Sequence, residues 1–101
     1  MADTIQALIV DDEKNVTDLL KLQLEETGFA VDIAGDGAAG INKIQGKRYD
    51  LILLDLKMPR INGLEVLKFA KENQPDSQVI ILTGYGDIKT AVDTIKIGAF
   101  D

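Results

Sequence analysis

The chain has 101 residues and a net charge of −6, from seventeen acidic and eleven basic side chains. That length is one domain, and the acidic balance excludes direct nucleic-acid binding, which needs a basic face. Cysteine and histidine are both absent, so disulfides, thiolate metal sites, the commonest zinc ligand and the commonest general base are excluded together. Chemistry must then rest on carboxylates, hydroxyls, lysines and a borrowed metal. The apolar share of 46% suits a globular protein, and no run approaches the roughly 20 residues of a membrane span. Met1-Ala2-Asp3-Thr4 is not a basic, apolar leader, so a cytoplasmic protein with no membrane partner is expected.

Along the chain, apolar runs alternate with amphipathic stretches. Gln6–Val10 reads as a first strand. Residues 14–26 follow as a helix with Val16, Leu19, Leu20 and Leu24 at helical spacing, and Gly28 stops it. Phe29–Ala34 is a second strand. Asp36 then caps a helix carrying Ala38, Ile41 and Ile44, weakened by Gly37 and Gly40. Asp50–Leu54 is a third strand, apolar after its first residue, as expected of one covered on both faces.

Lys57-Met58-Pro59-Arg60-Ile61-Asn62-Gly63 forms a loop, and Asn62 caps a helix that turns Val66, Leu67 and Ala70 inward. Gln74-Pro75-Asp76-Ser77 turns the chain into a fourth strand, Gln78–Leu82. Gly84-Tyr85-Gly86 is a loop, Asp87 caps a helix bearing Ile88, Ala91, Val92 and Ile95, and Gly98 ends that helix. Ala99-Phe100-Asp101 reads as the start of a fifth strand, with Tyr85 and Phe100 as partly buried packing residues. Strands separated by single helices must pair in parallel, which predicts a doubly wound α/β domain.

Three apolar runs stop on polar groups: Leu8-Ile9-Val10 on Asp11-Asp12, Leu51-Ile52-Leu53-Leu54 on Asp55, and Val79-Ile80-Ile81-Leu82 on Thr83. In a parallel sheet these groups meet at the end where open α/β folds bind ligands. Clustered carboxylates repel and call for a cation, and an all-oxygen donor set favours Mg²⁺. Asp55 follows four aliphatics and must surface at the sheet edge, where it can serve as a phosphate-accepting nucleophile without a general base. Taken singly, Asp11 and Asp12 also suit helix capping, Asp55 a turn, Lys57 a solvated loop and Thr83 a plain strand residue.

With those pieces in order, the chain resembles the receiver domain of two-component response regulators. The resemblance rests on Leu8-Ile9-Val10-Asp11-Asp12-Glu13, Asp55-Leu56-Lys57-Met58-Pro59 with Asn62-Gly63, Thr83-Gly84-Tyr85-Gly86-Asp87, and Gly98-Ala99-Phe100-Asp101. The stretch from Thr83 to Asp101 is most similar to receivers of nitrogen-regulation-type activators of sigma-54-dependent transcription. The resemblance implies a flavodoxin-like sheet of order 2-1-3-4, with the fifth strand and fifth helix missing from residues 1–101. It implies Asp55 as phosphoacceptor, Asp12 as a direct Mg²⁺ ligand, Asp11 as an assisting ligand, the Lys57 carbonyl as a further metal ligand and Thr83 as the switch hydroxyl.

The implied partner is a histidine kinase or phosphotransfer protein, and the implied output is a transcription domain. The family's lysine–proline pair and switch aromatic on strand 5 would fall after Asp101. An uncovered strand 4 and helix 4 would then favour a homodimer, or completion by a segment from another chain. Two alternatives stand beside this reading. One is a non-signalling receiver fragment or engineered piece. The other is a haloacid-dehalogenase-type phosphatase, weakened because Lys57 occupies the position of that family's second Asp.

Overall fold

The computed structural model describes residues 4–56 and 63–82. Within them the elements run β1 (Gln6–Val10), α1 (Lys14–Glu26), β2 (Ala30–Ala34), α2 (Gly37–Gly46), β3 (Leu51–Asp55), α3 (Gly63–Asn73) and β4 (Gln78–Leu82). The four strands form one sheet in the order β2-β1-β3-β4, and every pairing is parallel. The doubly wound α/β expectation is met. The helix expected between Asp87 and Gly98, the start of a fifth strand, Tyr85 and Phe100 lie outside the described residues. So does helix 4 of the expected dimer surface.

The central strands are apolar at successive positions because both faces of the sheet are covered. Ala7, Ile9, Leu51 and Leu53 point toward α1 and pack with Val16, Leu20 and Leu24. Leu8, Val10, Ile52 and Leu54 point the other way and pack with Ile44 of α2 and Val66 and Ala70 of α3. All eight strand residues are fully buried. Each large aliphatic among them contributes about 1.5–3 kcal/mol by leaving water. Strand β2 is an edge strand and stays half-buried apart from Ala34.

Several details depart from the sequence reading. On α1, Leu19 is 43% exposed, and Thr17 takes a buried place instead. The Thr17 hydroxyl donates to the Lys14 carbonyl at 3.0 Å, so burying it leaves no polar group unpaired. On α2, the side facing the sheet is Gly37, Gly40 and Ile44, while Ala38 is exposed. A Cβ at Gly40 would stand 3.0 Å from a Val10 methyl, so the glycine that costs helix propensity is what lets α2 lie close to β1. Asp36 caps that helix as expected, its Oδ1 accepting the Ala39 N–H at 2.8 Å.

Strand β3 is displaced by one residue, from Leu51 to Asp55. Asp50 works through its side chain, whose Oδ2 accepts the Gln6 N–H at 2.8 Å and holds the start of β1. Nearby, the Gln74 amide donates to the Ile44 and Lys47 carbonyls at 2.8 and 2.7 Å and accepts the Tyr49 N–H at 2.9 Å. These bonds tie α2, α3 and β3 together at the end of the sheet opposite Asp55. The site therefore stands on a scaffold anchored at its far end.

Candidate metal and phosphoacceptor site

The chain reverses its winding between β1 and β3, because β2 lies on one side of β1 while β3 and β4 lie on the other. A crevice forms outside the carboxyl ends of strands at such a switch point. Asp11 and Asp12 leave β1 there, and Asp55 ends β3, opposite Leu82 in the β3–β4 ladder.

Asp11 is 5% exposed. Its N–H donates to the Ala34 carbonyl at 3.1 Å, and its Oδ1 accepts the Glu13 N–H at 2.9 Å. Those two bonds fix both its backbone and its carboxylate. The N-cap position of α1 is Glu13, which makes no side-chain capping bond, while its carbonyl accepts from Val16 and Thr17. Neither Asp11 nor Asp12 occupies the capping position, so the plain capping alternative gives way. Asp12 is exposed and Asp55 half-buried.

Carboxylate oxygens of Asp11, Asp12 and Asp55 lie within 4.8 Å of one another. At that spacing two like charges repel by about 1 kcal/mol in water and about 3 kcal/mol at the effective dielectric near a protein surface. Burial pushes the Asp11 carboxyl up from 3.8 to about 6, against the pull of the Glu13 N–H, with further lift from the charges of Asp55, Asp12 and Glu13. The cluster is costly to keep fully ionised without a cation.

Its donor chemistry fits Mg²⁺. The set is all oxygen, which suits a hard ion. An octahedron with bonds of about 2.0–2.1 Å spaces opposite ligand oxygens about 4.2 Å apart and adjacent ones about 2.9 Å, so the carboxylates close on the ion by side-chain movements of up to about 2 Å. One exposed and one half-buried carboxylate also leave room for the waters such an ion retains. Of the residues singled out in the sequence, Asp11, Asp12 and Asp55 come together. Lys57 and Thr83 lie outside the described residues.

The response regulator receiver domain pattern matches residues 7–101. This chain belongs to that family. Response regulator ArlR of Staphylococcus saprophyticus is 43% identical over 94 residues, which is 93% of this chain and 42% of that protein. The nitrogen assimilation regulatory protein NtrX of Azorhizobium caulinodans is 40% identical over 96 residues, covering 93% of this chain and 21% of that protein. The likeness to nitrogen-regulation-type receivers is thus present. Among solved structures, response regulator TrrA of Thermotoga maritima, in complex with Mg(2+)-BeF, superposes with a TM-score of 0.76 at 36% identity, over 91% of this chain and 80% of that one. The receiver spans less than half the length of the two curated relatives. Membership removes the ground for the phosphatase alternative.

One residue of the site went unread in the sequence. Gly63 belongs to the family pattern, with no task of its own legible there. The first residue of α3, it is buried, and its N–H donates to the Leu56 carbonyl at 3.2 Å, directly behind Asp55. A glycine opening a helix gives no such signal in sequence alone.

Proposed function

We propose that Asp55 is the phosphoacceptor of this receiver, taking a phosphoryl group from a phosphohistidine on a histidine kinase or phosphotransfer protein. The observation that carries the reading is the meeting of Asp11, Asp12 and Asp55 within 4.8 Å at the switch-point crevice. An Asp55 carboxylate oxygen attacks phosphorus in line with the histidine nitrogen. The P–N bond breaks as the O–P bond forms, the electron pair returns to the imidazole, and the imidazole takes a proton from solvent. The product is an acyl phosphate on Asp55.

Mg²⁺, when bound, supplies positive charge against the phosphoryl oxygens. The Glu13 N–H holds the Asp11 carboxylate, which would assist in holding the cation together with Asp12 and Asp55. Asp12, which is exposed, is the direct ligand in this reading, and Asp55 and the Lys57 carbonyl are assigned as further ligands. Thr83 supplies the switch hydroxyl that donates to the phosphoryl group. The Mg(2+)-BeF complex of TrrA, 36% identical, supports the choice of ion.

The receiver promotes its own phosphorylation and dephosphorylation and turns over no other substrate. Its phosphorylated state controls a transcriptional output domain in the cytoplasm. ArlR and NtrX, both named as regulators, support a regulatory output. Among the described residues no helix is long and apolar enough to cross a membrane. The test is intact mass after incubation with acetyl phosphate and Mg²⁺. A gain of one phosphoryl group, lost in Asp55→Asn, is expected. Labelling that persists in Asp55→Asn overturns the assignment.

A further inference from the structure

We infer that Gly63 is a positioning residue for Asp55: its missing side chain lets the start of α3 lie against the backbone of the phosphoacceptor and hold that carboxylate in register with Asp11 and Asp12. The inference rests on the proposed role of Asp55 and adds a determinant on a different element. A Cβ built on Gly63 would stand 2.4 Å from the Asp55 carbonyl oxygen, 2.4 Å from Leu56 Cα and 3.0 Å from the Asp55 carbonyl carbon. Ordinary contact begins near 3.4 Å, so the two backbones would have to part by about 1 Å. The obstruction is main chain, which cannot rotate out of the way as a side chain can.

Both partners are anchored away from this contact. Helix α3 is fastened by Val66 and Ala70, each fully buried. Strand β3 is fastened by its ladders to β1 and β4, which pair Leu54 with Val10 and Ile81, and Asp55 with Leu82. The obstruction lies at the strand exit itself, Asp55–Leu56, which carries the half-buried carboxylate. Any larger residue at position 63 therefore displaces the Asp55 carboxylate from the other two. A misplacement of about 1 Å costs up to about a hundredfold in a positioned reaction, and loss of an orienting contact behind a metal ligand costs about 10–100-fold in affinity.

The test compares Gly63→Ala with Val66→Ala and the parent. Val66→Ala empties a fully buried position on the same helix but leaves the Gly63 contact untouched. It reports what mere loosening of α3 does. Mg²⁺ affinity is measured by titration with the metal alone, and phosphorylation rate with acetyl phosphate at saturating Mg²⁺, both per folded molecule from circular dichroism. Gly63→Ala should weaken Mg²⁺ binding and slow labelling by about tenfold or more. Val66→Ala should stay within about twofold of the parent on both while melting lower.

Folded Gly63→Ala matching the parent in both readouts overturns the inference. Equal losses in the two variants also overturn it, since they make the effect one of helix stability. If Gly63→Ala fails to fold, trimethylamine N-oxide is added to restore compaction. Failure to fold even then overturns the inference, because Gly63 would serve the fold rather than the site. If the parent takes no phosphoryl group, the phosphoacceptor reading fails by itself, and the Mg²⁺ titration still decides whether Gly63 positions Asp55.

Discussion

Replacing Asp11 by Asn should stabilise the metal-free receiver at neutral pH, although it removes a metal ligand. Asn keeps the oxygen that accepts the Glu13 N–H at 2.9 Å, and its new amide N–H₂ can donate to the neighbouring carboxylates. What disappears is a buried charge. Asp11 has its carboxyl raised from 3.8 to about 6 in the folded protein, a displacement corresponding to about 3 kcal/mol. The cluster opens to solvent through Asp12, so screening reduces the expected gain to about 1–2 kcal/mol.

The sign follows from proton linkage. The folded state holds the Asp11 proton more tightly than the unfolded chain, so stability is greatest below 3.8 and declines as pH rises through about 6. At pH 7.5 the parent carries the full penalty and Asp11→Asn carries none. Asp32 and Asp50 shift the opposite way. The Tyr49 hydroxyl leads in holding Asp32 down, and the Gln6 N–H leads for Asp50. Their contributions are lost only as pH falls below 3.8, outside the window in which Asp11 changes. Urea denaturation in chelator, followed by circular dichroism between about pH 4.5 and 7.5, reads the gap between variant and parent. It should be widest at neutral pH and close on acidification. A variant no more stable than the parent at pH 7.5, or a gap unchanged across the range, would refute the reasoning.

Asp12→Ala should weaken Mg²⁺ binding more than Asp11→Ala in calorimetric titration, because the exposed carboxylate is the proposed direct ligand; equal affinities in Asp12→Ala and the parent would count against it. Mg²⁺ should raise the parent's melting temperature at pH 7.5 and do so less at pH 5, where Asp11 holds its proton against the metal. Leu53→Ala, at a fully buried central position, should cost about 2–5 kcal/mol in urea denaturation. Gln74→Ala should cost about 2 kcal/mol by stripping partners from the Tyr49 N–H and the Ile44 and Lys47 carbonyls, while leaving Mg²⁺ affinity unchanged at the far end of the sheet.

Strand and helix existence was legible because it follows from short-range periodicity. Leu51 to Leu54, buried on both faces, could hardly be anything but a central strand, and Gln6–Val10 and Gln78–Leu82 emerged with the bounds read from sequence. The three carboxylates of the site were legible for a related reason. A charged residue that ends an aliphatic run has to surface at the strand's end, and parallel strands share one such end.

Tertiary structure alone decided the remainder. Whether Asp11 caps α1 or belongs to the cluster depended on Glu13 taking the N-cap position and on the meeting with Asp55, and the rise of its carboxyl to about 6 depended on burial and on Asp55, forty-four positions along the chain. That Leu19 would be exposed and Thr17 buried depended on how α1 lies across the sheet. Gly40 reads in sequence as a weakness of its helix, and Gly63 as the end of a loop. Only the approach of α2 to Val10 and of α3 to Asp55 reveals them as clearances. Periodicity and chain order are local properties, carried by neighbours along the backbone. A clearance, a desolvated charge or a choice between hydrogen-bond partners exists only once distant segments have been brought into contact, so those features became visible only in the folded chain.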